Sequence, residues 1–373
     1  MSKVEFLGKM PSPFIRDDGT KVSLKEWETY KYELLEKIVD IEFGGMPPKP
    51  EIVKFETLNM VHRGIFPNCY RIHAGTKEKQ LTFILDICVP VNEKISRYKI
   101  EDNEKFPVLL CGDGCYPTMD VKVKEEALKR GYITASFNRL EIANDVKASR
   151  QGGIYDIYPD MDFTDISAWA WAYSVCMDVF EQMSFVDEKE VGITGHSRGG
   201  KTVMLAAATD ERIKYVCINN SGCHGAVSHR CVVTEQGELN MRNERISDMF
   251  ENFPTWMGPK LREYVDNEQN LPYDMHYFGA MVAPRFYLQN EGMQDYWINP
   301  IGAWQNFMAV KECYKYLGCE ENAGAWFRAG GHRHELPDFV TFLDFMDNAR
   351  KNLPLAEHLK INPYPEIEKN FDW

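Results

Sequence analysis

The chain has 373 residues, 44% of them hydrophobic and 13% aromatic, with a formal net charge of −13. That charge argues against nucleic acid, whose binding rests on lysine and arginine neutralising phosphates, and no apolar run is long enough to span a membrane. The ten cysteines are scattered without a C-x-x-C pair, and no apolar leader follows the first methionine, so reduced thiols and a cytoplasmic location are expected. No linker or low-complexity tract divides the sequence. One domain over 1–373 is expected, with a helical N-terminal extension over about 1–50 and an insertion over about 221–283.

Residues 1–20 read as an arm over the surface. Ser23 and Glu26 then form a capping box ahead of apolar residues at helical spacing through Ile38, and Gly44-Gly45-Met46-Pro47-Pro48 stops that helix. Ile52 to Met60, Asn68 to His73 and Leu81 to Val89 read as antiparallel strands from their β-branched and aromatic content. From Phe106 the rhythm changes to strand alternating with helix. Strands are expected at 107–111, 132–137, 190–194, 215–219, 285–289 and 325–329, and helices at 121–130, 166–183, 201–209, 303–317 and 337–351. This alternation predicts right-handed crossovers and a mostly parallel sheet flanked by helices, a three-layer αβα sandwich.

The most informative stretch is Val191 to Lys201, VGITGHSRGGK. A β-prone run passes through Gly195-His196-Ser197-Arg198-Gly199 into a helix-forming run, which is the G-x-S-x-G pattern in the strand-turn-helix context of α/β hydrolases. The serine hydroxyl projects from a strained turn, and the free N–H groups at the helix start face an oxyanion. Nucleotide binding through the same glycines ranks low.

A nucleophilic serine needs a base, and the base needs an orienting acid. Ala329-Gly330-Gly331-His332-Arg333-His334 follows the last expected strand, where the general base of this fold belongs. His332 is the choice and His334 the rival. A metal held by these two histidines ranks low for want of a third ligand, and no metal or cofactor is expected. For the acid, Asp295 lies just beyond the strand at 285–289, with Glu291 as competitor.

These stretches resemble the glucuronoyl esterases, the fifteenth family of carbohydrate esterases. The family's G-C-S-R-x-G-K elbow is matched by Gly195 to Lys201, with His196 in place of the usual cysteine. Further related stretches are Asn138 to Ala143, Ser167 to Ala172, Asn219 to Cys223, Leu271 to His276, Val282 to Arg285 and Asp295 to Pro300. The resemblance implies an α/β-hydrolase fold and hydrolysis of an ester between a uronic acid carboxyl and an alcohol. It also implies that Arg198 helps to hold the oxyanion, and that Lys201, Trp297 and Glu238 contact the sugar. Many members carry the acid as a glutamate after the strand that follows the serine; the matching position here is Asn220, which carries no charge.

The leading expectation is a serine esterase acting on a carbohydrate ester through Ser197, His332 and Asp295. The alternatives are an acetyl-sugar esterase on the same fold, such as one acting on acetylated xylan, and a non-catalytic carbohydrate-binding relative. Nothing in the pattern specifies an oligomeric state.

Overall fold

A computed structural model describes residues 2–59, 62–91, 104–147 and 150–373. Its strands, in chain order, are β1 (Lys3–Phe6), β2 (Ile52–Thr57), β3 (Asn68–Gly75), β4 (Gln80–Cys88), β5 (Phe106–Cys111), β6 (Ile133–Phe137), β7 (Val186–His196), β8 (Tyr215–Asn219), β9 (Cys231–Thr234), β10 (Phe286–Gly292) and β11 (Ala323–Arg328). Nine of them form one sheet in the order β11-β10-β8-β7-β5-β6-β4-β3-β2. The pairings from β6 to β11 are parallel, and those joining β2, β3, β4 and β6 are antiparallel. The expected α/β-hydrolase architecture is therefore present. The expected end of β2 at Met60 lies outside the described residues.

Strand periodicity explains the layers. In β5, Val108 and Leu110 join one buried cluster while Leu109 joins another, and in β8 Val216 and Ile218 part from Tyr215 and Cys217 in the same way. Successive side chains point to opposite faces, so each face needs its own helical cover. On one face lie the helices Asp165–Phe180, Arg198–Thr209 and His276–Val282, and on the other lie Val121–Lys129 and Leu336–Arg350. The helix Asp165–Phe180 is apolar nearly all round, with Trp169 fully buried, and fills the larger layer. Burying one such aromatic contributes on the order of 2–3 kcal/mol.

The first helix, Leu24–Phe43, begins with the expected reciprocal capping box, Ser23 N–H donating to Glu26 and Glu26 N–H to Ser23 Oγ. Such a cap contributes about 1 kcal/mol. The helix runs five residues past its expected end at Ile38 and stops at the expected glycine, Gly44, so that Glu42 becomes buried.

The N-terminal arm lies over the surface, where Lys3 to Phe6 pair antiparallel with Cys231 to Thr234 in a separate two-stranded sheet. The segment 221–283 also contributes to the core. Its helix His276–Val282 is wholly buried against the helices Arg198–Thr209 and Pro300–Tyr316, with Tyr273 and Phe278 at zero exposure. No helix among the described residues is long and apolar enough to cross a membrane.

Candidate active site

Strand β7 ends at His196 and the next helix starts at Arg198, leaving Ser197 between them at φ 57°, ψ −120°. A non-glycine residue there costs roughly 1–3 kcal/mol and persists only if its surroundings enforce it. They do so through the backbone: Ser197 N–H donates to Asn219 O at 2.9 Å, and Ser197 O accepts from Lys201 N–H at 3.1 Å. The flanking glycines are required by space. A β-carbon on Gly195 would lie 2.3 Å from Gly199 O, and one on Gly199 would lie 2.3 Å from an Asp113 carboxylate oxygen.

His332 stands on the loop between β11 and the last helix, and its Nδ1 lies 2.5 Å from Asp295 Oδ2. That contact fixes the ring and leaves Nε2 as the proton acceptor. The ring centroid of His332 is 4.3 Å from that of His196, the neighbour of Ser197, so the imidazole sits at the elbow. Asp295 is 7% exposed, and the amide of Asn220 donates to the same Oδ2 at 2.7 Å. Behind them the Arg328 guanidinium reaches Asp338 at 2.7 Å and Gly331 O at 3.3 Å, bracing the histidine loop.

The rivals are placed elsewhere. Glu291 lies inside β10 at zero exposure, and burial followed by the charge of Asp295 pushes its carboxyl well above the usual range. It bonds Gln289 and does not reach the histidine. His334 stacks on Phe339 at 4.1 Å, and burial holds its pKa well below the ordinary imidazole value. His334 also stacks on His196, with ring centroids 5.7 Å apart, on the ring that His332 approaches as well. His196 Nδ1 donates to Asn219 Oδ1, 2.6 Å away, and burial followed by the charge of His332 lowers its pKa to about 4.

Arg198, which follows the serine in sequence, pairs with Asp145 and lies over the Trp256 ring at 4.7 Å, and both contacts fix its guanidinium. Lys201 is 3% exposed, and its ammonium donates to the carbonyls of Ser221 and Cys223, with Glu244 at 3.7 Å. Read letter by letter, Gly195, Gly200, Lys201 and Thr202 also satisfy the spacing of a phosphate-binding loop. The burial of Lys201 against those carbonyls removes the lysine such a loop requires. Trp297 is 39% exposed, with the Arg242 guanidinium 5.7 Å from its ring. Glu238 is exposed in a turn whose Gly237 packs on Tyr296, beside Trp297.

Sequence reasoning missed the supports. Buried Asp113 accepts from His196 N–H at 2.8 Å and pairs with Arg139, while Asp145 and Trp256 hold Arg198. Asp113 had a signal, an apolar strand ending in Gly-Asp-Gly; Asp145 and Trp256 had none.

A strained serine at a strand-to-helix turn, followed by a histidine–aspartate pair on later loops of a mostly parallel sheet, defines the α/β hydrolases. A model of the family described as "Glucuronyl esterase, fungi" matches residues 72–318, and the chain belongs to that family. It is 27% identical over 346 residues to the 4-O-methyl-glucuronoyl methylesterase of Phanerochaete carnosa (strain HHB-10118-sp), covering 91% of this chain and 80% of that one. A glucuronoyl esterase structure from Caldicellulosiruptor kristjansonii superposes with a TM-score of 0.82 and 26% identity, covering 97% of this chain and 96% of that one. The fold also matches a glucuronoyl esterase mutant from Sporotrichum thermophile in complex with methyl 4-O-methyl-beta-D-glucopyranuronate, with a TM-score of 0.76, 21% identity, and coverage of 96% and 93%.

Proposed function

We propose that this protein is a carboxylic ester hydrolase of the glucuronoyl esterase type, cleaving the ester between a glucuronate or 4-O-methyl-glucuronate carboxyl and an alcohol. Ser197 Oγ attacks the ester carbonyl while His332 Nε2 takes its proton. Asp295 stabilises the imidazolium through Nδ1. Arg198 and the N–H groups at the helix start hold the oxyanion, a cation and dipoles fixed before charge develops. His332 then returns the proton to the departing alcohol, and a water activated by the same nitrogen releases the uronic acid from Ser197.

The observation that carries this reading is the 2.5 Å contact of His332 Nδ1 with Asp295 Oδ2 beside a serine in the elbow conformation. Trp297 and Glu238 are proposed to flank the sugar. Lys201 is proposed to act from below, by fixing the Ser221 and Cys223 carbonyls that back the pocket. A cytoplasmic enzyme of this kind would take imported oligosaccharide esters.

The test is steady-state hydrolysis of methyl glucuronate against an acetylated xylose, with wild type and Ser197→Ala side by side. Preference for the uronate ester with a dead variant is the expected result. Preference for the acetyl sugar would overturn the substrate, and undiminished activity of the variant would overturn the mechanism.

A further inference from the structure

Away from the serine, a second group of chemically capable side chains is sealed in the protein. Glu42 comes from the last turn of the first helix, and His224 and His229 come from the loop after β8. Their side chains are 0%, 0% and 1% exposed. One oxygen, Glu42 Oε1, touches His224 Nδ1 and lies 3.1 Å from His229 Nε2. The three ligand atoms all fall within 4.8 Å of one another.

We propose that Glu42 Oε1, His224 Nδ1 and His229 Nε2 bind a structural zinc ion. A tetrahedral zinc with bonds of about 2.0–2.1 Å sets its ligand atoms about 3.3 Å apart; Glu42 Oε1 and His229 Nε2 stand at that spacing, 3.1 Å, while Glu42 Oε1 and His224 Nδ1 are in direct contact and part slightly to admit the ion. Two imidazoles and one carboxylate are a zinc-type donor set, whereas calcium and magnesium take oxygen ligands. His224 and His229 also stand four residues apart in the intervening sequence, within the H-x3–5-H range of zinc-binding loops.

The surroundings support a bound cation. A fully buried carboxylate needs a compensating charge, and among the described residues the only ion-pair partners of Glu42 are these two histidines. The second oxygen of Glu42 accepts from the Tyr273 hydroxyl, the outer contact that orients a carboxylate bound through one oxygen. The other nitrogen of His229 faces Cys223 Sγ at 3.7 Å, which puts a thiol at the edge of the site. His224 is held at φ 63°, uncommon for a residue with a β-carbon. The zinc would tie the first helix to the loop whose Ser221 and Cys223 carbonyls receive the Lys201 ammonium, and so brace the back of the pocket without entering the chemistry.

The same atoms could instead form a network of protons, with Tyr273 and both imidazoles donating to a lone carboxylate. Metal content separates the two. Protein purified without metal-affinity resin is assayed for zinc by plasma mass spectrometry, and chelator-treated protein is melted with and without added zinc. Wild type is expected to carry stoichiometric zinc, to melt several degrees lower after chelation, and to recover when zinc is restored. Glu42→Gln and His229→Gln are expected to lose the metal. Metal-free wild type whose melting temperature ignores added zinc would overturn the site, as would folded variants that keep full zinc. Should the variants fail to fold, cobalt added to chelated wild type decides: visible bands of a four-coordinate ion support the site, and their absence overturns it.

Discussion

Asn220 and His332 share one oxygen of Asp295: the amide of Asn220 donates to Oδ2 at 2.7 Å, and His332 Nδ1 meets it at 2.5 Å. Asn220 is a neutral donor that steadies an aspartate arriving from a later loop. Removing the charge should be far worse than removing the support. Asp295→Asn is expected to lower kcat by about 10⁴. Asn220→Ala should lower it by roughly 10–100-fold, the loss of one hydrogen bond to a charged group. Glu291→Gln should leave kcat within about threefold, because burial already favours the neutral carboxyl. A large loss in Glu291→Gln with little in Asp295→Asn would reverse the assignment.

Ser197 sits at φ 57° because the backbone around it demands that shape. Glycine adopts it freely, and relief of roughly 1–3 kcal/mol exceeds the roughly 0.4–1 kcal/mol that glycine adds to unfolded-chain entropy. Ser197→Gly should therefore be inactive yet more stable than Ser197→Ala by about 1 kcal/mol in urea denaturation. Equal or lower stability would show that the turn is not strained.

His196 ties stability to pH. Its folded pKa is about 4 against a reference value of 6.5, so the unfolded chain takes up a proton first as the solution is acidified. The stabilising contribution is complete above about pH 6.5 and drains away as pH falls towards 4. His276 acts in the same direction, its pKa also lowered to about 4 by burial. Replacing His196 by cysteine should shrink the stability difference between about pH 7 and about pH 5. An unchanged difference in the two proteins would sink this account.

Lys201 separates a buried support from an exposed sugar contact. With its ammonium on the carbonyls of Ser221 and Cys223, Lys201→Met is expected to cost about 3–5 kcal/mol of stability, as when one member of a buried polar pair is removed. A surface contact would instead raise KM at unchanged stability. Urea midpoints measured beside KM distinguish the two.

The parts of the site that follow local rules were readable in the sequence. The elbow glycines, the helix after them and the Gly-Gly-His loop each announce themselves within a few residues. Choosing Asp295 over Glu291 was harder, because it depends on where β10 stops. The strand runs to Gly292, three residues past the expected Gln289, which carries Glu291 into the sheet and leaves Asp295 on the loop. The partners of Arg198 and Lys201 were out of reach, since Asp145, Trp256 and the 221–223 carbonyls meet them only through the fold. The same holds for Glu42, which finds His224 across 182 positions of chain, and for β1 and β9, four-residue strands too short to show a period.

That last pairing also imposes an order in time. Lys3 to Phe6 leave the ribosome long before Cys231 to Thr234 exist. At about 5–20 residues per second, roughly 10 to 45 s pass between the two strands. The N-terminal strand must wait as an unpaired edge while β2 to β8 are made. Pairing with β9 is consequently a later clasp, laid over a sheet already begun.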